Sequence, residues 1–338
     1  MKQLFLLISL TIILGSCYVS TSPVYPSADA FHKVKESPFS VGRQKITGMA
    51  TDGTRVVAVS REGTIALSQD HGITWLTTAV LDIRFNAVTW GAPSRNGGGF
   101  FLAGGDFGRA AYSADGINWE TGVIGPMNPK NIMTLSAGRM KAQTVFAAGG
   151  TDGRIAYALH SPEGPWFQIT FSPFGEVENT GDTVNASAYG SVKNQGIFVF
   201  AGTNGIIAVL RDFSGSVYGP SAMGTQQTLN DASFGDDRFI VVGEGASVKM
   251  SGNPDSYSWA TIREKGFGLQ PFYKVDFAPS INNFVLVASD SVVGFSENGE
   301  SWSAISLNDR LSRGISAIAC TKKRIVLGGA DGTIVFSN

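Results

Sequence analysis

The chain has 338 residues, with 26 basic and 27 acidic side chains and a formal charge of −1. That balance argues against broad electrostatic attraction to nucleic acid or anionic lipid. Charged residues are only 16% of the total and glycine contributes 42 positions, a composition that favours many short strands joined by tight turns.

Lys2 and the apolar run "LFLLISLTIIL" from Leu4 to Leu14 have the form of an export signal, with a core too short to span a bilayer as an anchor. The run ends in Leu14-Gly15-Ser16-Cys17, which resembles a bacterial lipoprotein lipobox. The resemblance implies cleavage before Cys17 and a diacylglyceryl group on its sulfur. Several acyl chains at one site give stable attachment, whereas a single chain is marginal. The Ser/Pro-rich stretch "YVSTSPVYPSADA" that follows lacks periodicity and reads as a tether. The expected organisation is a signal over 1–16, a lipidated cysteine and tether over 17–30, and a folded domain over 31–338.

Within 31–338 one unit recurs seven times. It is an apolar strand, a Gly-containing turn and a second apolar strand, as in "VVAVSREGTIALS" (56–68), "FLAGGDFGRAAYS" (101–113) and "IVLGGADGTIVFS" (325–337). The closing residues fall at 68, 113, 158, 210, 251, 296 and 337, a period near that of propeller blades. A short strand precedes each hairpin: "ITGMA", "FNAVT", "IMTLS", "VNASA", "LNDAS", "FYKVD" and "ISAIA". Their third and fifth positions are mostly small, which suits the innermost strand where blades converge. A fourth strand follows most hairpins, as in "WLTTA" (75–79) and "WSAIS" (302–306). The pattern predicts an all-β, seven-bladed propeller of four-stranded antiparallel blades. The last repeat stops without an outer strand, so a segment around His32–Glu36 is predicted to pair with Thr333–Ser337 and close the ring, removing two exposed edges.

The phrase "SQDHGITW" at 68–75, with shorter copies "SADGINW" and "SENGESW", lies between third and outer strands. Ser and Asp side chains bond turn backbone there, and glycine takes positive φ. Ser68, Asp70, Gly72 and Trp75 match the S-x-D-x-G-x-x-W pattern, so the chain resembles the Asp-box (BNR) propellers, in which the motif is structural and lies away from active sites. That family includes sialidases, which use three arginines, a Tyr–Glu pair and an aspartate. The F/Y-R-I-P motif that carries the first arginine does not occur here; Arg43 sits in "VGRQK" and Arg84 in "DIRFN". The resemblance extends in architecture to photosystem II assembly factor-type propellers, which are lipid-anchored in cyanobacteria.

No catalytic, cofactor-binding or metal-binding residue is assigned. His32, His71 and His160 stand apart, and Cys17 and Cys320 are too few for a thiolate site. "GGG" at 97–99 reads as a hairpin tip. Propellers bind on the face that carries the outer-to-inner connections and the middle-hairpin turns. On that face Arg109 and Arg154 occupy equivalent positions in adjacent blades, with Arg84 nearer the axis. They read either as solvated turn arginines beside Asp106 and Asp152 or as a basic patch. The connection over 172–183 is the longest of its kind. Asp231 and Lys274, both at third inner positions, are expected to form an ion pair between blades, because a buried charge needs a partner. Cys320 reads as a buried small apolar residue.

The favoured function is a membrane-anchored, non-enzymatic binding or assembly scaffold of the bacterial cell envelope, periplasmic or surface-exposed. A sialidase-type glycoside hydrolase is the alternative. Expected partners are the membrane, through the N-terminal lipid, and a protein or glycan. No cofactor is expected, no nucleic acid, and a monomeric state.

Overall fold

The computed structural model of the chain describes residues 25–92, 99–140, 143–169, 182–211, 214–218, 226–254, 259–263 and 267–338. The expected signal, Cys17 and most of the tether lie outside the described residues, as do residues 97–98 and nearly all of the 172–183 connection.

Seven separate four-stranded antiparallel sheets surround one axis. Blades one to six each take four consecutive strands, and the seventh takes three from the C-terminus and one from the N-terminus. The innermost strands are Ile46–Thr51, Phe85–Gly91, Ile132–Met140, Val184–Val192, Leu229–Gly235, Phe272–Ala278 and Ile315–Cys320. The second and third strands of each blade are buried on both faces, which is why they read as continuous apolar runs. Val56–Ser60 and Thr64–Ser68 are buried throughout.

Alternation along these strands divides the core into layers between blades. Val57, Val59, Ile65 and Leu67 pack against Phe85, Phe101 and Ala103 of blade two. Val56, Ala58 and Ala66 turn the other way and meet Ala317, Val326 and Ile334 of blade seven. Equivalent clusters fill the other five interfaces. Residues of the outer strands are mostly exposed, as in Leu76–Val80 and Glu120–Val123.

Closure follows the expected pattern with a shorter strand. Phe31–Lys33 pairs antiparallel with the last strand, aligning Phe31 with Ser337, His32 with Phe336 and Lys33 with Val335. The Val34 N–H donates to Ile334 O at 2.9 Å. Beyond it the chain leaves the blade, because Ser37 Oγ donates to Gly332 O at 2.5 Å and Phe39 is drawn fully into the layer between blades seven and one. Pairing therefore stops before Glu36.

The "SQDHGITW" turn locks itself and then the neighbouring blade. Ser68 Oγ accepts the Gly72 N–H at 2.8 Å, and Asp70 Oδ1 accepts the Ile73 and Thr74 N–H groups at 3.1 and 2.9 Å. Trp75 Nε1 donates to Gly72 O at 2.9 Å. Gly72 has φ +90°, and a Cβ there would lie 2.5 Å from Val326 of blade seven. The copies at Asp115 and Asn298 repeat the geometry, with Trp119 and Trp302 each donating to a glycine carbonyl at 3.1 Å.

Phe31 is fully buried and His32 exposed on the same short strand. Phe31→Ala is therefore expected to lower stability by about 3 kcal/mol or more. His32→Ala should change it little, by about 0.5 kcal/mol or less. Urea denaturation of the two variants checks the closure strand.

Candidate functional site

The feature that builds the site is a β-bulge at the second residue of every inner strand. In all seven blades the register with the neighbouring strand shifts between the first and third positions. A bulged residue is left unpaired and its side chain is re-aimed. These residues are Thr47, Asn86, Met133, Asn185, Asn230, Tyr273 and Ser316.

Five of them reach the next blade. Each donates to the carbonyl of that blade's first inner residue: Thr47 to Phe85 at 2.9 Å, Asn86 to Ile132 at 2.9 Å and Asn185 to Leu229 at 3.3 Å. Asn230 donates to Phe272 at 2.8 Å and Ser316 to Ile46 at 2.6 Å. Met133 and Tyr273 have apolar or aromatic side chains in that place. Tyr273 is 43% exposed instead.

The bulged residues ring a vestibule of about 1070 Å³ on the face that carries the outer-to-inner connections. Its wall includes Lys45, Arg61, Tyr273, Lys274, Asp290 and Arg313. It narrows into an axial channel of about 280 Å³, where Thr134, Ser187, Asp231, Lys274 and Asp276 supply the polar lining. Leu269, 83% exposed, stands on the same face in the connection into blade six.

The ion pair expected between Asp231 and Lys274 is present, with Nζ 3.9 Å from Oδ1. The other Asp231 oxygen accepts the Val275 N–H at 3.0 Å. Burial pushes the Asp231 carboxyl up, and the Lys274 charge pulls it back only in part. A second carboxylate, not anticipated from the sequence, lies one blade further on. Asp276 accepts the Phe277 N–H at 2.8 Å and the Cys320 N–H of blade seven at 2.9 Å. Burial dominates its titration. The backbone donors oppose it, the Asp231 charge adds to it, and the carboxyl is pushed up to about 6. Cys320 is buried, as expected, and burial beside Asp276 pushes its thiol well up.

Arg84, Arg109 and Arg154 stand on the vestibule face, each already engaged. Arg84 Nε lies 3.6 Å from Asp106 Oδ2, which also takes Arg61 at 3.2 Å. Arg109 pairs with Asp82 at 3.3 Å, and Arg154 donates to Pro126 O at 2.8 Å. Asp152 pairs with Lys130 rather than with Arg154. Arg84 and Arg61 thus meet on one carboxylate, while Arg109 and Arg154 have separate partners. The side chains of Arg84 and Arg109 remain 66% and 43% exposed.

Ser68, Asp70, Gly72 and Trp75 belong to the opposite face. Burial would raise the Asp115 carboxyl in the equivalent turn. Hydrogen bonds from the Asn118 and Ile117 N–H groups outweigh it and hold that carboxyl below its ordinary range. Among the described residues no three His, Cys, Asp or Glu side chains come together as a metal site.

The bulge ring was missed in the sequence, although its signal is visible: five of the seven inner phrases have Thr, Asn or Ser at position two.

An acid whose pKa is higher folded than unfolded destabilises the fold once it ionises. For Asp276 that loss is absent below its ordinary value of 3.8, grows as pH rises towards about 6, and is complete above it. Asp276→Asn should remove this dependence. The stability of wild type relative to the variant is then expected to fall by roughly 2 kcal/mol between pH 4 and pH 7, as measured by urea midpoints across that range. A flat difference would contradict the assignment.

No protein-family model matches the chain, and no curated protein matches it in sequence. Solved structures match it in shape. The WD40 β-propeller domain of Doa1 superposes with a TM-score of 0.67 at 17% identity, covering 94% of this chain and 97% of that one. YCF48 bound to D1 peptide gives 0.65 at 15% identity, covering 91% and 94%. YCF48 from Cyanidioschyzon merolae gives 0.65 at 14%, covering 91% and 98%. At these identities the likeness is one of fold.

Proposed function

We propose that this chain is a lipid-anchored, non-enzymatic binding or assembly scaffold of the bacterial cell envelope, whose protein or peptide partner seats on the vestibule face. The observation that carries the reading is the vestibule itself. It is wide at its mouth and presents Tyr273, which the neighbouring blade leaves unoccupied. Exposed aromatic side chains in a concave site are the usual anchors of protein recognition. Leu269 extends the apolar contact, and Lys45 and Arg313 give the wall two basic groups. Arg84, Arg109 and Arg154 form the outer rim of the same surface. The fold neighbour solved with a bound peptide supports a partner of this class, and Leu14-Gly15-Ser16-Cys17 supports the anchor.

The hydrolase alternative calls for three arginines and a Tyr–Glu pair converging at the axis. Among the described residues the arginines of the vestibule wall are Arg61 and Arg313, and Arg61 is occupied by Asn86 and Asp106. That reading gains no support from the site.

Recovery of partners from detergent-solubilised envelope by the purified chain tests the proposal. Tyr273→Ala with Leu269→Ala should reduce recovery about ten-fold, and Arg109→Glu with Arg154→Glu should reduce it less. Glu163→Lys, on the opposite face, should leave it unchanged. Equal recovery by all folded variants would sink the vestibule assignment. Cys17→Ala should move the protein out of the detergent phase; unchanged partition would remove the anchor.

A further inference from the structure

We infer that Phe107, at the hairpin tip of blade two, is a recognition residue for a partner segment in which an apolar side chain is flanked by carboxylates. The inference rests on the vestibule face being the partner-binding face, and it starts from a conformation that the fold does not favour. The middle hairpins of blades two to six turn through two central residues that both have positive φ. In each, the N–H after the pair donates to the carbonyl before it. Such type I′ turns call for Asn, Asp or Gly at the first central place. Four blades comply, with Asp152, Asn204, Gly245 and Asp290. Blade two has Phe107 there, at φ +59°, where a bulky side chain carries a steric cost.

Packing does not offset that cost. Phe107 is 62% exposed, and among the described residues its ring belongs to none of the apolar clusters. In blades three and four the same place is tied to the connection that enters its own blade, Asp152 by Lys130 and Asn204 by Asp182 at 2.7 Å. In blade two the Phe107 N–H is held by Asn131 Oδ1 at 3.1 Å, which steadies the turn and leaves the ring in solvent. A side chain that strains its own turn and buries little within the molecule has its use outside it. An exposed aromatic ring on a steadied turn also loses little entropy when a partner covers it.

The surroundings set the chemistry of that partner. Asp106, next to Phe107, is shared by Arg61 and Arg84, so the cluster keeps a net positive charge. Arg154, one blade on, donates to the Pro126 carbonyl, which leaves its charge in place. The exposed acid nearest in sequence to Arg84 is Asp82, and Arg109 already takes it. Across the connections and hairpin tips of blades one to three, over 34–45, 61–63, 81–84, 106–109, 124–131 and 151–154, eight bases face five acids. Over the corresponding described residues of blades four to seven, five acids face two bases. The face is two-sided in charge, and Phe107 stands in its basic half. A carboxylate set beside the ring meets guanidinium groups, which bind it in bidentate geometry, while an apolar neighbour covers the ring itself. Aromatic and arginine side chains together are the usual composition of a binding hot spot.

The test has two arms, both on the full chain in detergent. Phe107→Asn gives the turn a residue its geometry calls for, so the urea midpoint should rise above that of wild type. A fall would make Phe107 a structural residue and overturn the inference. In the second arm, phage-displayed linear peptides are selected on the wild type. Enriched sequences are expected to combine Asp or Glu with Leu, Ile or Phe. Their retention should drop about ten-fold or more on Phe107→Asn and persist on Phe107→Trp. Arg84→Gln should weaken it several-fold and make it less sensitive to salt. Peptides held equally by wild type and Phe107→Asn, but lost on Tyr273→Ala with Leu269→Ala, would sink the inference and leave the vestibule reading standing. Loss on Phe107→Asn with full retention on the Tyr273 and Leu269 pair would support the inference and move recognition from the vestibule to its rim. Peptides that depend on Phe107 yet carry no acids would rule out the acidic partner. If no sequence is enriched, recognition of a segment at Phe107 fails, and partner recovery still decides the vestibule.

Discussion

Neighbouring blades share no backbone ladder, so side chains do most of the work of holding the ring, and one recurring contact sets the relative rotation at five of its joints. The bulge at the second residue of each inner strand frees a side chain that bonds the first carbonyl of the next blade. Each such bond adds only about 1 kcal/mol net. The apolar layers between blades provide most of the stabilisation, because they bury far more surface. They are non-directional, however, and would tolerate sliding. The hydrogen bond supplies the direction.

Two of the seven joints use other means. Between blades three and four, where Met133 occupies the bulge, Thr134 Oγ1 and Ser187 Oγ lie 2.8 Å apart. Between blades six and seven, where Tyr273 occupies it, Asp276 takes the Cys320 N–H. The second substitution has a consequence at each end of the strand. At the mouth it releases an aromatic side chain into the vestibule. Deeper in, the same strand carries a second carboxylate, Asp276, close enough to Asp231 to feel its charge, while Lys274 pairs with Asp231. Buried charges without full compensation are unfavourable, so this joint is held at a cost that the neutral bulge contacts avoid.

The architecture was legible because a propeller writes its period into the chain. Buried strands with both faces covered give unbroken apolar runs, and "VVAVS" and "FVLVA" can be counted without knowing their neighbours. The Ser-Asp-Gly-Trp turns were legible for a related reason: every bond of Ser68, Asp70 and Trp75 stays within the turn. The site was less legible because its contacts join residues 38 to 46 positions apart, and 270 apart where the ring closes. Thr, Asn and Ser at position two are common strand residues, and only the bulge, a property of pairing, turns them towards the next blade. Asp276 sits at a fifth position that is otherwise small, a departure from the pattern as plain as those of Asp231 and Lys274 at position three. Arg109 and Arg154 do occupy equivalent positions, and each bonds the connection into its own blade, but Asp82 offers a carboxylate and Pro126 a backbone carbonyl.

The closure strand ties residue 31 to residue 337, and this bears on how the molecule is made. A chain emerging in order builds an open arc of blades, each sealed against the last by an apolar layer. The free ends of that arc are the first inner blade and whichever blade was finished most recently, both with apolar flanks bare. Contacts so distant in sequence are slow to find, and the arc stays vulnerable to association until Ser337 arrives. The first segment of the folded domain to be synthesised is therefore the last to find its place.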